Sequence, residues 1–265
     1  MKQIQNRWNR TGRVIAVLAA VALFVGIPRT GTCQTFVTEL VKNINTFGVP
    51  YNGNVANITK VGALTYYSAA TPATGTELWK SDGTAAGTVL VKEIYSSTST
   101  GSYPGDLTAV GSTLLFAAND GDHGQELWRS DGTAAGTVIV KDIVSDTQEA
   151  GSSPNYFLEM GGTLYFRAEG EGAELWRSDG SVAGTVLVKD INPGASASSP
   201  LYLVEMGGAL YFNATDGSNG NELWKSDGTE AGTVMVKDIY PGSGGSYPYN
   251  LVVMTMRGRF HPSRA

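Results

Sequence analysis

Four aspartates, Asp82, Asp131, Asp179 and Asp227, each precede a glycine and then a threonine or serine, at successive spacings of 49, 48 and 48 residues. Asp-Gly-Thr is turn chemistry, because the carboxylate accepts backbone N–H groups while the glycine takes a positive φ. A second acidic group, Asp120, Asp122 and Glu126, lies with His123 in the stretch Asn119–Glu126. Its oxygens suit a hard cation, and calcium is the one cofactor the chain suggests. Against that reading, the twelve-position EF-hand pattern fails there. The corresponding loops Thr71–Thr76, Glu169–Gly172 and Asp216–Gly220 do not repeat the oxygens, so a plain turn is the better account and no metal site is assigned. The only histidines are His123 and His261. No Ser-His-Asp or Cys-His set therefore has its base, and no histidine cluster can hold zinc. Glycoside hydrolysis needs two carboxylates in one cleft. The acids here recur in every copy of a repeat, as structural residues do, and no catalytic residue is assigned.

The aspartates belong to an octapeptide. Glu77–Thr84, Glu126–Thr133, Glu174–Ser181 and Glu222–Thr229 all read Glu-Leu-Trp-Lys/Arg-Ser-Asp-Gly-Thr/Ser. Each is followed by x-Ala-Gly-Thr-Val-x-Val-Lys, and then by Glu93-Ile94, Asp142-Ile143, Asp190-Ile191 or Asp238-Ile239. In the second copy, Leu107–Val110 is a short apolar run, Gly111-Ser112 a tight turn, and Thr113–Ala118 a second run ending at the Asp120-Gly121 turn signal. Glu126–Ser130 and Thr137–Ile143 then alternate with the period of a strand. Each repeat thus holds four strands, and no helical period is present after residue 34. A four-stranded antiparallel unit of about 48 residues matches a β-propeller blade. The expected fold is all-β: tandem antiparallel blades, about four and a half in number, in a partial ring or an open arc.

The elements place the aromatic residues. Trp79, Trp128, Trp176 and Trp224, with Tyr67, Phe116, Phe166 and Phe212, are expected to pack between successive blades, because one blade cannot bury both of its faces alone. The rival reading makes the four tryptophans a glycan-stacking row; a core needs the same residue in every copy, which favours the first. The glutamates Glu77, Glu126, Glu174 and Glu222 are expected to pair across the hairpin with Lys92, Lys141, Lys189 and Lys237.

The blades are expected over about 50–98, 99–147, 148–195 and 196–243, within a repeat region 34–254. A partial fifth is expected from 36–45 together with 246–254. There Thr38–Ile44 resembles a fourth strand and Leu251–Met254 a first one. Residues 255–265 form an aberrant basic tail in which Arg257, Arg259 and Arg264 interrupt an acidic protein. The partial blade and tail carry the expectation that the chain is a truncated piece of a longer array.

The repeat motif resembles that of the bacterial ELWxxDGT-repeat proteins, often described as hyalin-like, over residues from about 35 to 254. Glu93 departs from the pattern, as do Ser181 and Val182. The resemblance implies an exported or surface protein built of tandem repeats and brings no catalytic residues or defined ligand. The Asp-Gly-Thr step is also similar to the Asp-box hairpin turns of sialidase propellers, with a different spacing.

At the N-terminus, Lys2, Arg7, Arg10 and Arg13 precede the apolar run Val14–Gly26. That is the pattern of a signal peptide, assigned here to 1–33, and the run is short for a membrane span. Cys33 is the single cysteine, so no intramolecular disulfide can form, and Thr30-Gly31-Thr32 makes a poor lipobox. Five of the 19 basic residues lie before position 34, which leaves 14 against 24 acidic residues. An acidic exterior repels phosphate backbones and argues against nucleic acid. The sequence therefore points to a secreted or cell-envelope, non-catalytic propeller that acts in adhesion, scaffolding or the binding of a protein or glycan. It would touch a membrane only through an uncleaved signal segment. The alternative is a propeller glycoside hydrolase, by fold analogy alone.

Overall fold

The computed structural model describes residues 41–42, 53–96, 100–145 and 151–253. The expected signal segment with its cleavage point and Cys33, and the basic tail with His261, lie outside the described residues.

Among the described residues, sixteen strands form four sheets of four. The first blade comprises β1 (Ala56–Val61), β2 (Leu64–Thr71), β3 (Gly75–Ser81) and β4 (Val89–Lys92). The second comprises β5 (Gly105–Val110), β6 (Thr113–Asn119), β7 (Gln125–Ser130) and β8 (Val138–Lys141). The third comprises β9 (Asn155–Met160), β10 (Thr163–Glu169), β11 (Ala173–Ser178) and β12 (Val186–Lys189). The fourth comprises β13 (Leu201–Met206), β14 (Ala209–Thr215), β15 (Asn221–Ser226) and β16 (Val234–Lys237). Every sheet is an antiparallel meander in chain order. The first strands pack successively, β1 beside β5, β5 beside β9 and β9 beside β13. Four meanders gathered on their first strands make a β-propeller arrangement.

Local chemistry explains the strand limits. Gly111 takes φ 59° in the two-residue turn, where Val110 pairs with Thr113. The fourth strand of the second blade is shorter than the expected Thr137–Ile143. At one end the Thr137 hydroxyl meets that of Ser130 and donates to the Thr133 carbonyl. At the other the Ile143 N–H leaves the ladder for the Glu126 carboxylate. Each first strand is reached through a kink at a fixed place. Tyr103 and Asp106, Ser153 and Tyr156, and Ser199 and Tyr202 have φ between 46° and 59°, a conformation uncommon for residues with a Cβ. Tyr247 and Asn250 repeat it at 48° and 52° ahead of Leu251–Val253.

The core lies between blades. Leu78, Val91 and Ile94 of the first meet Leu114, Phe116 and Trp128 of the second. The same sandwich joins Leu127 and Val140 to Phe166, and Leu175 and Val188 to Phe212 and Trp224. Alternation along β7 thus sends Trp128 toward the preceding blade and Leu127 toward the following one. No described blade covers the far side of the fourth, where Val236 is 45% exposed while its equivalent Val140 is 3% exposed.

Of the expected partial blade, Val41, Lys42 and Ser246–Val253 are described. Lys42 Nζ donates to the Thr88 carbonyl at 2.8 Å. Lys92, Lys141 and Lys189 do the same to Thr137, Thr185 and Thr233 of the next blade. Lys42 therefore stands toward the first blade as a fourth-strand lysine does toward its successor.

Candidate functional site

The recurring aspartates sit at the mouth of the β3–β4 hairpin and its equivalents. Asp131 Oδ1 accepts the Thr133 N–H at 2.8 Å and the Thr133 hydroxyl at 2.7 Å, and that hydroxyl accepts the Gly136 N–H. Asp82, Asp179 and Asp227 repeat the arrangement on Thr84, Ser181 and Thr229. These hydrogen bonds hold all four carboxyls below the usual aspartate range. The aspartates are turn anchors, as expected for Asx chemistry.

The glutamates behave otherwise than expected. Lys141 lies opposite Leu127 in the ladder and Lys92 opposite Leu78, so register denies them Glu126 and Glu77. Glu126 is fully buried and accepts hydrogen bonds from the Ser152 hydroxyl at 2.5 Å, the Ser152 N–H at 2.6 Å and the Ile143 N–H at 3.3 Å. Glu77, Glu174 and Glu222 clasp Ser102, Ser198 and Ser246 in the same way. Each glutamate thus ties down the connection that leads to the next blade. Burial pushes the carboxyls of Glu77, Glu126 and Glu174 above the ordinary value, against their hydrogen bonds. For Glu222 burial also acts upward. There, however, the bonds from Ser246, Ile239 and Tyr240 outweigh it and the carboxyl lies below the ordinary value.

The basic side chains reach across blade boundaries. Lys80 Nζ donates to the Gly132 carbonyl at 2.7 Å, and Arg129 to that of Gly180 at 3.3 Å. Lys92 Nζ, while bound to Thr137, stands 5.7 Å from the centroid of the Trp128 ring, and Lys141 stands 5.9 Å from that of Trp176. Trp79, Trp128 and Trp224 are buried. All four indole N–H groups are buried without a partner among the described residues, so packing holds these rings and their polar edges do not face solvent.

The Asp120 loop is a self-contained clasp. Asp120 accepts the N–H groups of Asp122 and His123 and pairs with His123 Nδ1 at 2.8 Å. Burial raises its carboxyl, and these bonds together bring it below the usual range; Asp120 in turn raises the His123 imidazole. Glu126 is turned to Ser152 instead, so Asp120, Asp122 and Glu126 do not converge on a common point. Among the described residues no group of three or more His, Cys, Asp and Glu could hold a metal ion. The same two loop positions are clasped in other blades, by Thr71 with Thr74 and by Asp216 with Asn219.

The third blade breaks this pattern. Trp128 follows Phe116, and Trp224 follows Phe212, by twelve positions, whereas Trp176 follows Phe166 by ten. The β10–β11 turn closes instead with the Gly170 N–H on the Gly172 carbonyl. In the second and fourth blades the loop glycines Gly121 and Gly217 abut Tyr95 and Asn192 of the preceding blade's exit. In the third the shortened β10–β11 turn leaves the corresponding Val144 uncovered among the described residues, and a cleft of about 450 Å³ opens there. Val144, Trp176 and Leu187 supply apolar wall, Glu171 and Asp190 acid, and Gly170 the shortened edge. Trp176 is partly exposed, unlike the other three. Asp190 Oδ2 accepts the Gly194 N–H at 3.1 Å. The equivalents Asp142 and Asp238 each have Oδ1 buried and without a partner among the described residues. Sequence reasoning missed the cleft, the glutamate–serine clasps and the lysine bridges. The two-residue shortening and the serines fixed two positions before Pro104, Pro154, Pro200 and Pro248 were the available signals.

No protein-family model matches the chain, and no curated protein matches it in sequence. Solved structures are similar to it in fold. A computationally designed protein, Ika8, is similar over 72% of this chain and 51% of its own, at 11% identity and a TM-score of 0.40. Puromycin hydrolase is similar over 72% of this chain and 31% of its own, at 16% identity and a TM-score of 0.46. An alpha-L-arabinofuranosidase from Clostridium thermocellum is similar over 70% of each chain, at 13% identity and a TM-score of 0.35. The chain spans about half the length of the designed protein and under a third of the hydrolase.

Proposed function

We propose that this chain is an extracytoplasmic, non-catalytic scaffold of the ELWxxDGT-repeat kind that binds a protein or glycan at the cell surface. One observation carries the reading: the glutamate and the aspartate of the repeated octapeptide have equivalent internal partners in every described blade, Asp131 on Thr133 and Glu126 on Ser152 being typical. A carboxylate that anchors a turn or a linker is committed before any substrate arrives. A catalytic carboxylate must instead face a reacting bond in one place. The basic, then apolar N-terminus supports export. The acidic balance beyond residue 33 supports a partner other than nucleic acid.

Two measurements test the reading. Fractionation of expressing cells finds the mature protein, shorter by about 30 residues, outside the inner membrane; full-length protein in the cytosol overturns export. A glycan and matrix-protein array with matched aryl-glycoside assays finds binding without turnover. Glycoside turnover that survives repurification overturns the non-catalytic assignment.

A further inference from the structure

We infer that the cleft of the third blade is a binding site for an organic cation, an ammonium or imidazolium group on a short hydrocarbon stem. The inference deepens the reading of the molecule as a binding scaffold and rests on it.

The other blades show what belongs in that space. In the second blade the position five residues before the tryptophan is His123, whose ring is held by Asp120 at 2.8 Å and is also under the charge of Asp142. In the fourth blade it is Asn219, whose amide nitrogen donates to Asp216 at 2.8 Å. Both loops set an N–H donor on a loop carboxylate, and in the second blade that donor also lies within the field of Asp142 in the Asp-Ile step. In the third blade the donor is deleted with its two residues and the clasping aspartate is replaced by Gly170, while Asp190 of the Asp-Ile step remains and Glu171 supplies a carboxylate on the turn. The lining itself holds no basic residue; Lys141, whose Nζ stands 5.9 Å from the Trp176 ring centroid, is committed to the Thr185 carbonyl. Glu174, the third acid there, has both oxygens committed to Ser198 and Ile191. Glu171 and Asp190 are exposed, so their charges are available to a ligand.

The rest of the lining selects the body of the ligand. Leu187 is 40% exposed beside the partly exposed Trp176, with Val144 opposite the missing loop. A volume of about 450 Å³ suits a small organic molecule and falls within the ordinary range for ligand sites. An apolar wall behind two carboxylates takes a hydrocarbon stem with a cationic head. A neutral alcohol would leave the carboxylates without a charged partner, and an organic anion would be repelled.

The test is titration of the full chain, with its tryptophan side chains labelled for NMR, with n-hexylammonium, n-hexanol and n-hexanoate in parallel. Hexylammonium shifts the Trp176 signals saturably, identified by their loss in Trp176→Phe, at concentrations up to about 10 mM, where hexanol and hexanoate do not. Glu171→Gln combined with Asp190→Asn leaves the apolar wall and the Gly194 acceptor in place and weakens hexylammonium about tenfold or more, which corresponds to about 1.4 kcal/mol. Replacing Glu169–Ala173 with the seven residues Thr215–Asn221 restores the full loop and abolishes binding. Equal binding of hexanol, undiminished binding by the double variant, or no saturable shift in the wild-type chain each overturns the inference. None of these outcomes bears on fractionation or on array binding, so the wider reading stands or falls separately.

Discussion

The Asp131 carboxylate occupies the space that a side chain at Gly136 would need: a Cβ there would overlap Asp131 Oδ1. The same exclusion holds between Asp82 and Gly87, Asp179 and Gly184, and Asp227 and Gly232. It explains why the glycine of Ala-Gly-Thr accompanies the aspartate in every copy. Gly136→Ala is expected to cost about 1–3 kcal/mol, as other steric and strained-turn substitutions do. In an Asp131→Ala background the same change costs markedly less, because the clash is gone. Urea midpoints of the four proteins in the cycle give the coupling directly; additive effects would rule out the steric relationship.

Trp128 lies between blades with Leu78, Phe116 and Ile94. Trp128→Ala is expected to cost about 3–5 kcal/mol, a large part of the roughly 5–15 kcal/mol available to a domain. The readout is the urea midpoint beside binding to a glycan panel. An unchanged midpoint with lost glycan binding would show the ring to be a ligand platform.

The buried glutamates give opposite pH signatures. The Glu126 carboxyl is raised in the folded state, chiefly by burial, so its contribution to stability is complete below the ordinary value of 4.5 and is lost as pH rises through the folded value. The Glu222 carboxyl is lowered, so its contribution is present above 4.5 and is lost as pH falls through the folded value. Glu126→Gln therefore destabilises less at pH 7 than at pH 4, and Glu222→Gln more. Denaturant midpoints of both variants across that range check the signs, and parallel profiles would contradict them.

Lys141 bridges from the second blade to the Thr185 carbonyl of the third, whereas Lys237 has no partner among the described residues. Lys141→Met is expected to cost about 1 kcal/mol, at the lower end for hydrogen bonds to charged groups because the site is only partly buried. Lys237→Met is close to neutral. Thermal midpoints compared at low and high salt distinguish the two, and an equal loss in both would show that the bridge contributes nothing.

Features that are local and repeated can be read from the residues alone. Gly111-Ser112 between two apolar runs dictates a hairpin wherever it occurs, and Asp131-Gly132-Thr133 dictates an Asx turn, because their hydrogen bonds span only two or three residues. Strand alternation and a four-times-repeated octapeptide were enough for four-stranded blades and for an inter-blade place for the tryptophans. Contacts that cross a blade boundary were decided by tertiary structure. Glu126 looks like the natural partner of Lys141 on charge alone; the ladder register places Leu127 there instead, and the carboxylate turns to Ser152, 26 residues onward. Lys141 finds its acceptor 44 residues onward, on a blade whose position no local rule supplies. The cleft is the sharpest case. Two residues missing before Trp176 are visible in the sequence, but that they uncover Asp190, Leu187 and Val144 together follows only from the stacking of the second and third blades.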